Sequence, residues 1–253
     1  MLFCLSNRVR EPWAPSPRRA ARHLPRAIEI RDRRLVDRFD ADHTNPYLVS
    51  FPRTGSHWLQ MLMERYFKRP SLHLVYYYPE RFDYLTRHVS DLDLGVERRN
   101  VLYLYRDPVD TIYSQLRYTG EPVDSREHIG AWTRRYAAHL DKWLVTERFT
   151  ERKTAIRYEG LHSDLPAEFS KICSHFDQPL DEDRLLRVAG EITKWVLKQK
   201  APREARLVDL AEDYAARRRQ FRAQHGDWLW TTLLEGRPHL YPMLEEALEA
   251  CAA

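Results

Sequence analysis

The sequence has few cysteines, and their positions exclude two kinds of protein. Cys4, Cys173 and Cys251 are far apart and form no Cys-x-x-Cys pair or other metal-ligand spacing. Neither a disulfide scaffold nor a structural zinc site is therefore indicated, and we expect the protein to reside in a reducing cytoplasm.

Long apolar stretches are also missing. No run of about 18 or more apolar residues occurs, and the apolar start at residues 1–5 is too short for a secretory signal before Arg8 and Arg10 interrupt it. The sequence therefore predicts a soluble protein without a membrane span.

A strong excess of one charge sign is absent as well. Lys and Arg total 41 against 37 Asp and Glu, which gives a net charge of +4. This small excess suits an anionic substrate or cofactor, but it is too weak to predict a nucleic-acid-binding protein.

What is present is enough for one sizeable domain. The chain has 253 residues, 43% of them hydrophobic, and no internal repeat or linker divides it. Residues 1–30 contain four prolines among six arginines without a helical or strand period, which predicts a flexible basic arm. We expect residues 31–253 to form the domain.

The clearest local pattern is a strand, a turn and a helix at residues 47–67. An apolar strand leads into a turn bracketed by Pro52 and Gly55, and apolar residues then recur at helical spacing. The first N–H groups of a helix have no partner inside the helix and lie at the positive end of its dipole. With Arg53 beside them, they predict a site for an anion such as phosphate, although an ordinary strand-to-helix connection is the alternative.

The same order of elements returns twice. An apolar run at residues 101–105 ends at Arg106 and is followed by a helix with Pro108 near its start, and a third strand is predicted at residues 154–158. Strands that alternate with helices predict a single α/β domain with a central, mostly parallel sheet, and ligands bind at the carboxyl ends of such strands. The helices predicted in the second half span residues 126–149, 181–199, 204–222 and 243–251.

Two of these segments together resemble the signature segments of one known protein family. Residues 51–58 (FPRTGSHW) and 106–114 (RDPVDTIYS) are similar to the two signature segments of the sulfotransferases that use 3′-phosphoadenosine 5′-phosphosulfate (PAPS). The resemblance implies a P-loop-like sulfotransferase domain in which the first segment binds the 5′-phosphosulfate. It also implies that Arg106 and Ser114 of the second segment hold the 3′-phosphate. The implied contacts on the 5′ side are Arg53, Thr54, Gly55, Ser56, His57 and Trp58.

The resemblance continues downstream in the family's order. Tyr158 opens a segment similar to the one whose tyrosine lies near the adenine, and Thr193 and Trp195 belong to a segment similar to one that contacts the base. Arg219 and Arg222 lie where the family has a C-terminal loop that binds the 3′-phosphate. The resemblance therefore implies PAPS as co-substrate, adenosine 3′,5′-bisphosphate as product and no metal.

Two departures from the family bear on the mechanism. Arg53 stands where the family usually has lysine, and His57 stands where a hydroxyl residue is common. The sequence also has no G-x-x-x-x-G-K-[ST] motif, which disfavours an ATP-dependent kinase.

Sulfuryl transfer needs a group that stabilises the leaving phosphate and a base for the acceptor's proton. Arg53 is the candidate for the first task. His88 is the candidate base, because residues 85–89 (LTRHV) resemble the family segment that carries the base; His57 and His73 are the alternatives. The residues that either line an aromatic acceptor pocket or belong to the core are Tyr76, Tyr77, Tyr78 and Phe82.

The sequence thus favours transfer of a sulfuryl group from PAPS to a hydroxyl acceptor, with an amine as the second choice, on a small molecule or carbohydrate. Two alternatives stay open: a nucleotide-binding protein of the same fold without catalysis, and a nucleotide or small-molecule kinase. Nucleic acid is not an expected partner.

Overall fold

The computed structural model describes residues 26–80, 83–148, 150–200 and 213–245. Most of the predicted arm, residues 1–25, lies outside these ranges. So do Phe82, residues 204–212 of one predicted helix and residues 246–251 of another.

A four-stranded parallel sheet forms the centre of the fold, as the alternation of strands and helices predicts. Its strands are β2 (Tyr47–Ser50), β4 (Arg87–Val89), β5 (Asn100–Tyr105) and β6 (Arg152–Arg157), in the order β4-β2-β5-β6. A separate antiparallel pair joins β1 (Ile28–Glu29) to β3 (Leu74–Val75). The sequence does not predict β4, because a three-residue edge strand that begins with arginine contains no apolar run.

Helices pack on both faces of this sheet, which confirms the predicted α/β class with a helical C-terminal part. The helices are α1 (Arg33–Ala41), α2 (Ser56–Phe67), α3 (Pro108–Thr119), α4 (Arg126–Leu140), α5 (Gly160–Ser163), α6 (Leu165–His175), α7 (Glu182–Glu191), α8 (Lys194–Lys200) and α9 (Tyr214–Leu234), followed by a 3₁₀ turn at Pro238–Leu240.

The alternation of side chains along each strand divides the core into two halves. Val49 and Tyr103 point to the face packed by α3, α4 and α9, whereas Leu48 and Leu102 point to the face packed by α2, α6 and α7. All four side chains are fully buried. The nearly continuous apolar sequence of β2 and β5 therefore reflects a sheet covered on both faces.

Some predicted helices differ in extent from the observed ones. The helix predicted at 126–149 ends at Leu140 and continues as a π-helical turn, Asp141–Val145. The helix predicted at 181–199 divides into α7 and α8 at Ile192, whose backbone leaves the helical region with φ −103° and ψ 82°. Apolar residues keep their period across such breaks, so the pattern alone does not show them.

Candidate active site

The carboxyl ends of β2, β5 and β6 lie at one edge of the sheet because these strands are parallel. The loops that follow the three strands therefore meet there. They carry Arg53 in the β2–α2 loop (residues 51–55), Arg106 after β5 and Tyr158 after β6.

The β2–α2 loop makes a tight turn that requires glycine at one position. Gly55 has a φ of +97° and directly precedes α2. A Cβ added there would lie 2.4 Å from Cε2 of Tyr158. Glycine is therefore needed both for the left-handed backbone and for the close approach of the tyrosine ring. Arg53 also has a positive φ, +75°, which is uncommon for a residue with a side chain.

The two hydroxyl residues of this segment have different surroundings. Thr54 is fully buried, and its Oγ1 donates a hydrogen bond to the carbonyl of Phe51 at 2.9 Å, which closes the turn. Ser56 is the first residue of α2, so its N–H belongs to the set that has no partner inside the helix. An anion at this end of α2 would meet backbone N–H groups, while Thr54 shapes the turn.

Two hydrogen bonds join the β2–α2 loop to the second predicted segment. Nε of Arg53 donates to Oγ of Ser114 on α3 at 3.2 Å, and the same guanidinium lies 4.8 Å from the ring centroid of Tyr118. In the other direction, Nη1 of Arg106 donates to the carbonyl of Arg53 at 3.2 Å. Residues that the sequence assigns to two different phosphates therefore form one connected group.

Arg106 is a largely buried cation of this group, with a side chain that is 12% exposed. Its guanidinium stacks 4.5 Å from the ring centroid of Tyr158. Within the described ranges its Nε is buried without a hydrogen bond, and so is Oε2 of Glu159, whose other oxygen lies 4.0 Å from that Nε. A buried donor without a partner is costly, so this position fits a ligand that brings an acceptor atom.

Asp110 is shared by three arginines. Its carboxylate lies 3.3 Å from Nη2 of Arg106, 2.9 Å from Nη1 of Arg218 and 2.9 Å from Nη2 of Arg222. Asp107 caps α3 by accepting the N–H of Asp110 at 2.8 Å, and it also accepts a hydrogen bond from Arg222 at 2.6 Å. The carboxylates at the start of α3 therefore orient the guanidinium groups of this site.

Arg219 and Arg222 of α9 are both predicted contacts of the 3′-phosphate, but the two side chains lie in different surroundings. Arg222 joins the Asp107 and Asp110 group, whereas Arg219 lies on the exposed side of the helix. Arg218, in the run of arginines at residues 217–219 that precedes Arg222, also reaches Asp110. It precedes Arg222 by one helical turn and so shares its face, which is the signal that identifies it.

The residues expected near the adenine are partly brought together. Nε1 of Trp58 donates to the carbonyl of Ile192 at 3.3 Å, and the ring of Trp58 stacks on His162 with centroids 5.2 Å apart. Tyr158 meets the same His162 edge-on at 4.6 Å. The sequence does not select His162, although its position four residues after Tyr158 on a helical turn is a usable signal.

Thr193 and Trp195 follow Ile192, whose carbonyl Trp58 contacts, and both are exposed. Oγ1 of Thr193 accepts the N–H of Val196 at 3.3 Å at the start of α8. Trp195 is 61% exposed. Thr193 is close to Trp58 because it follows Ile192, while the side chain of Trp195 lies on the surface of the described part of the chain.

Two histidines lie next to the β2–α2 loop. Nε2 of His88 is 2.9 Å from Oγ of Ser50, Nδ1 of His57 is 2.5 Å from the hydroxyl of Tyr76, and the two imidazole rings are 6.3 Å apart. Burial, assisted by nearby positive charge, lowers the pKa of His88 to about 3 and that of His57 to about 4. Both rings are therefore neutral at pH 7. Burial also lowers the pKa of His73.

The tyrosines after α2 divide between core and site. Tyr76 and Tyr77 are buried in the core beside α2, and Glu64 accepts their N–H groups at 2.9 Å and 3.1 Å. Tyr78 is partly buried. Tyr77 is therefore a core residue, which is one of the two predicted roles. The hydroxyl of Tyr76 contacts His57, next to the β2–α2 loop.

Neither a metal cluster nor a membrane helix occurs in the described ranges. No three His, Cys, Asp or Glu side chains there are arranged to hold a metal ion. Among the helices of those ranges, none combines the length and the apolar character that a membrane crossing requires.

Two of three comparisons relate the chain to known proteins. The model of the sulfotransferase family matches residues 86–182. The crystal structure of mouse sulfotransferase SULT7A1 complexed with PAP is similar, with a TM-score of 0.58 and 15% sequence identity over 84% of this chain and 92% of that one. The sulfotransferase domain from the curacin biosynthetic pathway has a TM-score of 0.43 and 14% identity over 71% of this chain and 96% of that one. A search of the curated proteins finds no significant match.

The family match and the likeness to SULT7A1 agree with the family resemblance found in the sequence. Residues 86–182 include β4, β5, β6 and the segment that begins at Arg106. The likeness to SULT7A1 concerns the fold of most of the chain. The family match and the shared α/β fold together confirm the resemblance to the sulfotransferase family.

Proposed function

We propose that the protein is an enzyme that transfers the sulfuryl group of PAPS to a hydroxyl, or as a second choice an amine, of a small molecule or carbohydrate. The family match supports sulfuryl transfer in general, and SULT7A1 is complexed with PAP in its crystal structure. The observation that carries the proposal is the hydrogen-bonded link of Arg53 to Ser114 and Arg106. The cysteine pattern supports a cytoplasmic location.

In this proposal the β2–α2 loop binds the 5′-phosphosulfate. Negative charge grows on the 5′-phosphate as its bond to sulfur breaks, and Arg53 with the first N–H groups of α2 would stabilise that charge. Ser56 lies at the same helix start, and Gly55 lets the ring of Tyr158 pack against the turn. Because arginine does not release its proton, Arg53 acts by hydrogen bonding rather than as an acid.

The 3′-phosphate is assigned to Arg106 and Ser114, with Arg222 of α9, which like Arg218 pairs with Asp110 beside Arg106. The buried Nε of Arg106 would gain an acceptor from the phosphate. Trp58 and Tyr158 are assigned to the adenine, with Thr193 beside them.

His88 is the proposed base. Its neutral imidazole has a lone pair available at pH 7, since burial lowers its pKa to about 3. Bound PAPS brings negative charge next to this ring, which favours the imidazolium and raises the pKa toward neutrality. The base is thus tuned by the presence of the donor substrate.

Binding of adenosine 3′,5′-bisphosphate tests the proposal. At a ligand concentration of about 100 times Kd, binding adds about 2.7 kcal/mol to the free energy of unfolding, which raises the melting temperature by roughly 5–10 °C. We expect this shift in the wild-type protein and its loss in Arg106→Ala, measured by differential scanning fluorimetry, with circular dichroism to check folding.

Arg99→Ala is the matched control, because Arg99 precedes the opposite end of β5 and its guanidinium is half-exposed beside Glu151. It should keep the wild-type shift. Incubation of the wild-type protein with [³⁵S]PAPS and fractionated cell extract then tests catalysis by transfer of label. A flat thermal response in the wild-type protein would refute the proposed function.

A further inference from the structure

We propose that Ser50 is a positioning residue that fixes which nitrogen of His88 takes the acceptor's proton; this rests on the proposed function. Ser50 is the last residue of β2 and is 1% exposed. Its Oγ lies 2.9 Å from Nε2 of His88. Neither the sequence motifs nor the family resemblance assigns it a role.

The register of the sheet creates this contact. Leu48 of β2 pairs with His88 of β4 in parallel register, and paired residues point to the same face. Ser50, two residues after Leu48, points to that face as well. The contact therefore lies at the carboxyl end of the sheet, three residues before Arg53, where the acceptor must approach the donor.

The contact decides the chemistry of the ring. Neutral imidazole carries one N–H, and the hydrogen bond made by one nitrogen sets the state of the other. Since Ser50 engages Nε2, the nitrogen that remains for the acceptor is Nδ1. We assign Nε2–H as the donor to Ser50 Oγ, which leaves the lone pair on Nδ1.

In the transfer step, His88 accepts a proton while the sulfuryl group moves. The acceptor's O–H bond breaks and its proton moves to Nδ1 of His88, while the acceptor oxygen forms a bond to sulfur. The bond between sulfur and the 5′-phosphate oxygen breaks, and its electron pair stays on the phosphate beside Arg53. The imidazolium keeps its Nε2–H bond to Ser50 and later releases the Nδ1 proton to water.

Nuclear magnetic resonance tests the assignment directly. Long-range ¹H–¹⁵N spectra of the full chain with ¹⁵N-labelled histidine report the tautomer of each ring at pH 7, and His88→Gln identifies the His88 signals. We expect the Nε2–H form in the wild-type protein and in Ser50→Thr, and a mixture of tautomers in Ser50→Ala. An Nδ1–H form in the wild-type protein would overturn the assignment.

Kinetics test the consequence, with the acceptor fraction that the wild-type protein labels. Ser50→Ala should lower kcat by about tenfold or more while KM for PAPS stays unchanged, and Ser50→Thr should restore kcat. Ser170→Ala is the control, because the Ser170 hydroxyl donates only to a carbonyl of its own helix at 2.7 Å.

The kinetic results distinguish the positioning role of Ser50 from the proposed function. A wild-type kcat in Ser50→Ala would overturn the positioning role and leave the proposed function intact. Absence of transfer by the wild-type protein would refute the proposed function itself.

Discussion

At the scale of single residues, Asp110 has the most direct influence on the candidate 3′-phosphate site, since three guanidinium groups share its carboxylate. Asp110→Asn removes the charge but keeps an oxygen that accepts a hydrogen bond. We expect the empty variant to melt at a lower temperature, because buried Arg106 loses a neutralising partner. We expect adenosine 3′,5′-bisphosphate to raise that temperature more than in the wild-type protein, because the phosphate supplies the missing charge.

The measurement is thermal unfolding with and without the nucleotide, and Asp227→Asn on the exposed side of α9 is the control. It should behave as the wild-type protein in both conditions. A smaller nucleotide shift in Asp110→Asn than in the wild-type protein would contradict the expectation, because it would mean that orientation by the carboxylate outweighs its charge.

Residues of the site differ in how far the sequence could predict them. Arg53, Arg106 and Ser114 lie in segments with a recognisable local order of strand, turn and helix. The contact of Ser50 with His88 arises from strand register, and that of His162 with Trp58 joins distant parts of the chain, so neither contact leaves a local pattern. Only the spacing of His162 from Tyr158 is a local signal. The partners of Ser50 and His162 can be identified only from the folded structure.

At the scale of elements, α2 fixes the segment that follows it. Glu64 of α2 is fully buried, and its carboxylate accepts the N–H groups of Ser71, Tyr76 and Tyr77 at 2.9, 2.9 and 3.1 Å. Glu64→Gln places an amide donor among these donors, so at least one N–H loses its acceptor at a cost of about 1–3 kcal/mol. We expect urea unfolding above pH 8, where Glu64 is ionised because burial raises its pKa to about 8, to show a loss of that size in the free energy of unfolding.

Glu127→Gln, on the exposed surface of α4, serves as the comparison and should change the free energy of unfolding by less than about 0.5 kcal/mol. If Glu64→Gln proves as stable as the wild-type protein, the three N–H groups have found other acceptors and α2 does not hold this segment.

The elements themselves were predictable where burial imposes an apolar pattern. β2 and β5 could be predicted because they are central parallel strands, which are apolar over most of their length. β6 lies at one edge and is only partly apolar, but residues 154–158 were enough to locate it. β4, at the other edge, could not be predicted, since it has three residues and begins with arginine. The break between α7 and α8 could not be predicted either, because it coincides with a hydrogen bond from distant Trp58 to the carbonyl of Ile192.

At the scale of the whole molecule, buried histidines govern the response to acid. Burial lowers the pKa of His88 to about 3 and of His57, His139 and His175 to about 4. In the unfolded chain they bind protons near pH 6.5, so the unfolded state binds more protons as pH falls below about 6.5. We expect the free energy of unfolding to fall from about pH 6.5 to about pH 4. Burial raises the pKa of Glu64 to about 8 and also raises that of Glu159, so these two carboxyl groups act in the opposite direction, against four histidines.

Urea unfolding at several pH values measures this slope, and His139→Gln tests its origin. His139 is buried on α4 with its ring 5.5 Å from that of Phe51; its Nδ1 is 2.9 Å from the Tyr103 hydroxyl and its Nε2 is 2.8 Å from the Ser90 carbonyl. The variant should show a shallower fall in stability between pH 6.5 and 4. An unchanged slope would exclude His139 as a contributor.

The hydrogen bonds that join Arg53 to Ser114 and Arg106 affect whether the entropy cost of ordering the site arises in folding or in binding. Because these bonds join residues of the protein itself, the entropy of bringing the two phosphate subsites together is lost during folding rather than during binding. A nucleotide with phosphates at both ends then binds as a bivalent ligand, whose second contact forms at a high effective concentration once the first is made. Selectivity for a doubly phosphorylated adenosine would thus follow from the stiffness of this frame as much as from the charge of its arginines.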